Sequence, residues 1–172
     1  MDAVTLKATQ APLKESYKQS PERAVITLRA TGELGADKIA CKVDTGRALI
    51  EAGLHPATGG DGSFACSGDM LLEALAACAG VTLKAVSTAL GFDLKGGTVT
   101  AEGDLDFRGT LGVAKDAPVG FRAIRLDFKL DTPEPQDRID TLLKLTERYC
   151  VVLQSIQKPP QFSARIHTVG RV

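Results

Sequence analysis

Residues 70–90 constrain the fold more than any other stretch of the chain. They contain no proline, and Leu71, Leu72, Leu75, Val81, Leu83 and Val86 leave nearly every face of a helix apolar. Ala74, Ala76, Ala77, Ala79 and Gly80 crowd the middle with small side chains, so that another element can approach closely. Ser67 is placed to cap the N-terminus, Asp69 sits in the first turn where a negative charge is favourable, and Gly91 marks the end. A long, buried central helix is therefore expected. It is apolar on more faces than a few short strands of one chain can cover, which predicts a homodimer.

Around that helix the period changes from helical to alternating. Ala24, Val25, Ile26, Thr27 and Leu28 begin a β-branched run that ends at Gly32, and residues 38–43 repeat the pattern after a turn at Gly35, which predicts an antiparallel hairpin. Residues 52–68 contain Gly53, Pro56, Gly59, Gly60, Gly62 and Gly68 and read as a site-shaping loop. Val99, Ala101, Gly103, Leu105 and Phe107 alternate as one strand, and Ile124, Leu126, Phe128 and Leu130 as a second, separated by a wide connection over residues 108–120. Pro133 and Pro135 open a second helix, with Ile139, Leu142, Leu143 and Leu145 or Thr146 as its apolar stripe. That helix runs towards Cys150, residues 150–156 stay apolar until Pro159 and Pro160, and residues 162–167 read as a closing strand. The order is that of an α+β fold.

At 172 residues and 44% hydrophobic the chain is long enough for one core and short for two, so a single domain over residues 1–172 is expected. Residues 1–21 are charged and lack an apolar period; they read as an arm ordered only by packing on something else. Lys plus Arg and Asp plus Glu are equal at 21 each, so no global field draws the protein to nucleic acid or to an anionic membrane. No uninterrupted apolar run approaches the roughly 20 residues of a membrane span, and the N-terminus has no hydrophobic signal segment, which predicts a cytoplasmic protein. Two histidines and no paired-carboxylate pattern give no support to a metal hydrolase or a glycosidase. Arg108, Gly109, Thr110 and Lys115 form a short basic loop without a phosphate cradle, so neither a nucleotide nor another cofactor is expected.

The four cysteines, Cys41, Cys66, Cys78 and Cys150, have long and irregular gaps that match neither a zinc site nor the framework of a small secreted domain. Cys41 alternates with Ile39 and Val43 and reads as core. Cys66 precedes the expected helix start, where the helix dipole favours a thiolate, and reads either as a third redox thiol or as an ordinary loop residue. His55 lies in the glycine-rich loop as either a base or a surface residue.

Leu71-Leu72-Glu73-Ala74-Leu75-Ala76-Ala77-Cys78 at the head of a helix rich in small residues, with Glu147-Arg148-Tyr149-Cys150-Val151-Val152 at a later helix junction, resembles the family of osmotically inducible protein C and organic hydroperoxide resistance proteins. The resemblance also takes in the Gly59-Gly60-Asp61-Gly62 loop, the intervening pair of strands and the closing strand. It implies a tightly intertwined homodimer, with strands of both protomers wrapped around central helices and sites at the subunit interface. It further implies that Cys78 is the peroxidatic thiol, attacking an organic hydroperoxide to become a sulfenic acid, and that Cys150 condenses with it to a disulfide. An external dithiol of the lipoyl type restores both thiols. The chemistry is coherent, because a sulfenic acid without a resolving thiol is open to irreversible over-oxidation.

The chain departs from that family at one point. The family's peroxidases carry a Glu ten residues before the first cysteine, in an Asn-Pro-Glu signature, and pair it with an Arg from the early strands. Here Gly68 stands at that spacing, and Lys38 is the cation near the expected place of the Arg. Asp69 with Arg47 or Arg29 would rebuild such a pair, but nine residues from Cys78 at about 100° per residue puts Asp69 on the opposite helix face. Glu73, five residues away, reads as a partly exposed helix carboxylate. Two functions remain open: thiol-dependent reduction of organic hydroperoxides, or binding of a small apolar or thiol-reactive ligand without turnover.

Overall fold

The computed structural model describes residues 2–20, 31–34, 40–44, 49–112 and 114–168. In order, the elements are α1 (Ala3–Gln19), β1 (Thr31–Leu34), β2 (Ala40–Asp44), β3 (Leu49–Gly53), a 3-10 turn (Pro56–Thr58), β4 (Ala65–Cys66), α2 (Ser67–Ala89), β5 (Gly96–Asp104), α3 (Phe107–Thr110), β6 (Ala123–Asp131), α4 (Gln136–Tyr149) and α5 (Val151–Gln157). The fold is α+β, as expected. One sheet has the order β1-β2-β3-β4, with β3 and β4 parallel; the other is the antiparallel pair β5-β6.

The central helix forms where its composition requires. Leu75, Ala79, Leu83 and Ser87 recur every fourth residue and make its buried stripe. Leu75 and Ala79 pack with Cys150, bordered by Val99 and Ala101 of β5 and Ile124, Leu126 and Phe128 of β6. Further along, Leu83 packs with Phe92 and with Leu142 of α4. Gly91 ends the helix in the left-handed region at φ 59°, which a residue without Cβ adopts at no steric cost. The opposite face is uncovered in the single chain: Leu71, Ala74, Ala77, Val81 and Ala85 are exposed, Val81 at 73%.

A polar clamp holds the end of α2 to the start of α4. Arg138 donates to the Leu90 carbonyl at 3.1 Å, pairs with Glu134 at 2.6 Å and lies over the Phe92 ring at 5.5 Å. Glu134 in turn accepts the Asp93 backbone N–H at 2.8 Å, and the Thr132 hydroxyl donates to the Asp93 carbonyl at 2.6 Å. Carbonyls left over at a helix C-terminus are thus met by a cation and the next loop by two side chains.

Several expectations are revised. Cys66, not Ser67, is the N-cap of α2; its side chain makes no capping hydrogen bond, and Ser67 is the first helical residue. The hairpin exists, but between Thr31–Leu34 and Ala40–Asp44; residues 21–30 and the turn at 35–39 lie outside the described residues. β3 runs into the stretch read as loop, because Leu49, Ile50, Glu51 and Ala52 find β2 as a partner. The strand expected to reach Phe107 stops at Asp104, since Asp106 accepts the Arg108 N–H at 3.2 Å and caps α3 instead. Residues 162–167 form no strand: they pair with no strand among the described residues, and Phe162 and Ile166 are 90% and 93% exposed. The arm is helical over Ala3–Gln19 and touches α2.

α2 is long and apolar enough to cross a membrane by length and composition, with a mean hydropathy of 1.5 over 18 residues. Counting uninterrupted apolar residues misses this, because Glu73 and Lys84 break the run while leucine, valine and alanine keep the average high. In the fold α2 packs on β5, α4 and α5.

Leu75 is fully buried at the meeting point of α2, β5, β6 and Cys150. Leu75→Ala should therefore destabilise the protein by about 2–5 kcal/mol, the range for a leucine deletion that leaves a cavity. Urea unfolding monitored by circular dichroism measures the shift; a loss under about 1 kcal/mol would mean that the site collapses and that the core is less tightly packed than described.

Candidate active site

Cys150 is the residue on which the site is built. It closes α4 and opens α5, with φ −73° and ψ 106°, an extended conformation between two helical ones. Its N–H still donates to the Thr146 carbonyl at 2.9 Å, and its carbonyl accepts from Gln154 N–H at 2.9 Å, so neither helix loses its terminal bond. The break redirects the chain. The first N–H groups of α5 have no intrahelical partner, and those of Val151 and Val152 bear on the sulfur of Cys78.

Cys78 sits on α2 one turn beyond Ala74 and is half-buried, whereas Cys150 is fully buried. Both are free thiols, and Cys78 packs against the buried cluster that Cys150 forms with Leu75 and Ala79. Burial pushes the Cys78 thiol up, but the Val152 N–H, the Cys150 thiol, the Val151 N–H and the Thr82 hydroxyl together outweigh it and hold Cys78 below the ordinary thiol value. Cys150 moves the other way: burial raises it most, the Leu153 N–H opposes that, and the neighbouring Cys78 adds to the rise. The two thiols are thus driven apart, the half-buried one towards thiolate and the buried one towards thiol.

The other candidates lie elsewhere. Asp69 and Glu73 line a cleft with Leu72, Ala76 and, from β5, Val99, Thr100 and Ala101. They do not figure among the groups that act on Cys78. Arg29, Lys38 and Arg47 are outside the described residues. Cys66 is a half-buried free thiol twelve residues before Cys78, at the far end of α2. His55 caps the 3-10 turn, its Nδ1 accepting Ala57 N–H at 3.0 Å, and stacks on Phe107 with ring centroids 4.7 Å apart. One ring nitrogen is therefore committed to the loop. Arg108 pairs with Asp106 at 2.6 Å. Among the described residues no cluster of His, Cys, Asp or Glu is suited to a metal ion.

Three contributors to the lowering of Cys78 escaped the sequence reading. Thr82, four residues after Cys78 and so on the same helix face, was detectable by spacing alone. The Val151 and Val152 N–H groups were not, because their direction depends on the break at Cys150. A separate cavity of about 560 Å³ lies between β6, α4 and α5, lined by Leu126, Phe128, Ile139, Leu142 and Leu153 with Asp127 and Glu147; Cys78 is not part of it.

None of the curated protein sequences matches the chain. Among solved structures, the OsmC like protein from Mycoplasma pneumoniae superposes with a TM-score of 0.65 at 17% identity, covering 78% of this chain and 89% of that one. An organic hydroperoxide resistance protein OsmC from Legionella pneumophila, described also as a predicted redox protein, gives 0.61 at 17% identity over 78% and 91%. The organic hydroperoxide resistance protein OhrB of Bacillus subtilis gives 0.52 at 15% identity over 78% and 93%. These likenesses establish the fold. The family model for OsmC-like protein matches residues 60–165, which hold α2, the β5-β6 pair and both cysteines of the site, and the chain belongs to that family.

Proposed function

We propose that this protein is a thiol-dependent peroxidase that reduces organic hydroperoxides. The observation that carries the reading is the opposite displacement of two touching thiols, Cys78 lowered and half-exposed, Cys150 raised and buried. The Cys78 thiolate attacks the outer oxygen of ROOH; the S–O bond forms, the O–O bond breaks, and the alkoxide leaves with a proton as ROH. Cys150 then attacks the sulfenic sulfur; the S–S bond forms and the hydroxyl leaves as water. A dithiol of the lipoyl type opens the disulfide by two exchanges and is itself oxidised to a cyclic disulfide. Two relatives of similar fold are described as organic hydroperoxide resistance proteins, which agrees with this chemistry.

The working form in this reading is a homodimer in the cytoplasm, with the second copy covering the exposed face of α2 along Leu71, Ala74, Ala77 and Val81. An uncovered apolar strip of that length on a helix is a surface for a partner. A second reading, small-ligand binding without turnover, is favoured by the cavity of about 560 Å³ beside α4, whose lining does not include the thiols.

Consumption of cumene hydroperoxide with dihydrolipoamide separates the readings. Cys78→Ser should lower turnover at least ~100-fold, as loss of a nucleophile does. Cys150→Ser treated with one equivalent of hydroperoxide should carry a sulfenic acid on Cys78 by mass spectrometry. An oxygen found on Cys66 instead would show that the start of α2, rather than the Cys78 pair, activates the reactive thiol.

The lowered thiol also sets a pH dependence. Cys78 should react with iodoacetamide at a midpoint below that of an ordinary cysteine, and Cys150 only above it, measured by peptide mass spectrometry from pH 5 to 10. Coincident midpoints would remove the electronic distinction between the two.

In sedimentation at micromolar concentration the protein should run as a dimer, and Val81→Glu as a monomer. A stable monomer for the unmodified chain sinks the proposed assembly.

A further inference from the structure

At Cys150 the chain passes from α4 to α5 through a single extended residue, and a break of that kind leaves carbonyls of the first helix without their usual donors. The Thr146 carbonyl is met by the Cys150 N–H at 2.9 Å. The next carbonyl, that of Glu147, would accept from Val151 in an unbroken helix. Here it accepts from the side chain of Gln154, whose Nε2 lies 2.9 Å away. The backbone N–H of the same residue donates to the Cys150 carbonyl, also at 2.9 Å. Gln154 is therefore fastened on both sides of the break, to Cys150 itself and to the last turn of α4. Only the NH2 end of an amide can donate to a carbonyl, so the orientation of this side chain is fixed by its chemistry.

A short helix such as α5 needs a tie of this kind. It has seven residues, fewer than the ~12 that an isolated helix needs to persist in water. Val152, Leu153 and Ile156 pack it on Leu75, Ala79 and Cys150, in the cluster that Cys78 also joins. At about 100° per residue those three side chains share one face, and Gln154 stands roughly opposite. Apolar packing is non-directional, and on its own it lets a short helix turn about its axis or tilt at the break. A hydrogen bond with a preferred angle resists both. Among the described residues no second side-chain hydrogen bond joins α4 to α5.

We infer that Gln154 is a positioning residue for the thiol pair: its amide sets the angle between α4 and α5 and so holds Cys150 in place against Cys78. The inference rests on the reading of Cys78 and Cys150 as a redox couple, but it concerns how the two sulfurs are presented to each other and not the identity of the oxidant. The step that depends on it is closure of the bridge. The Cys150 sulfur, once its proton has left, attacks the sulfur of the Cys78 sulfenic acid; the S–S bond forms, the S–O bond breaks, and the departing hydroxide takes up that proton as water. Such an attack needs alignment, and a displacement of about 1 Å can cost on the order of 100-fold. The earlier oxidation of Cys78 needs no contribution from Cys150 and is left unchanged.

Equilibration of the full chain in glutathione buffers of graded ratio, with the disulfide between Cys78 and Cys150 quantified by peptide mass spectrometry, tests this without any hydroperoxide. Gln154→Met keeps the length and helix propensity of the side chain and removes the donor. It should lower the equilibrium constant for the disulfide about three- to tenfold, the scale of one neutral hydrogen bond. Gln154→Lys returns a donor on a stem of similar reach and should bring the constant most of the way back. With one equivalent of cumene hydroperoxide, the methionine variant should lose its free Cys78 thiol as fast as the unmodified chain but close the disulfide more slowly, so that dimedone labels Cys78. Equal slowing of the two steps would mark a general loosening and overturn the inference. If the methionine variant melts early, Gln154→Ala provides the same deletion with a better helix former, and its constant must fall likewise. An unchanged constant in a folded methionine or alanine variant, a lysine variant that fails to rescue, or an unmodified chain that forms no such disulfide also overturns it. Hydroperoxide turnover on the same samples keeps the two ideas apart. A lowered constant with no turnover in the unmodified protein leaves Gln154 in its role and removes the peroxidase reading; turnover with an unchanged constant does the reverse.

Discussion

The extended conformation of Cys150 is the constraint from which the site follows. A residue at ψ 106° cannot continue a helix, so α4 ends and α5 starts afresh, and a fresh helix begins with amide hydrogens that have no partner inside it. Full burial of Cys150 fixes where that start is placed, against Leu75 and Ala79 of the central helix. Ala79 is itself fully buried, so the close approach depends on a small side chain at that turn. The N–H groups that oppose the effect of burial on Cys78 come from this one junction.

The geometry of the junction is maintained from a distance. Arg138 satisfies a carbonyl at the end of α2 while pairing with Glu134 at the entrance to α4, which fixes the two helices at the end opposite the thiols. The exposed ion pairs of β5 and β6, such as Arg125 with Glu102, have no comparable role, since both partners remain in solvent where such pairs contribute little. The clamp differs because one of its acceptors is a leftover helix carbonyl and its carboxylate is 9% exposed.

The central helix, the β5-β6 pair and the second helix were legible because each carries a sustained period: every fourth residue in α2, every second in β6. Both cysteines were legible from local context. What failed did so for physical reasons. β3 is five residues long and owes its existence to pairing with β2, which no local pattern announces. Residues 162–167 alternate correctly but pair with no strand among the described residues, since alternation describes a face and not a partner. Ser67 has a good capping side chain, yet the helix starts one residue earlier than a Ser N-cap would place it, after Cys66 in β4.

The unequal exposure of the two sulfurs bears on how a bridge between them would be opened. A reductant arriving from solvent reaches Cys78 and not the fully buried Cys150. Exchange would then start at the Cys78 sulfur and expel Cys150, whose raised affinity for a proton makes it a poor leaving group. The same environment that stabilises a Cys78 thiolate favours the dithiol at equilibrium and so makes the bridge a stronger oxidant. Such a bridge is uphill to keep but slow to attack, a combination that rewards a reductant presenting two thiols at once, the second ready to complete the exchange that the first begins.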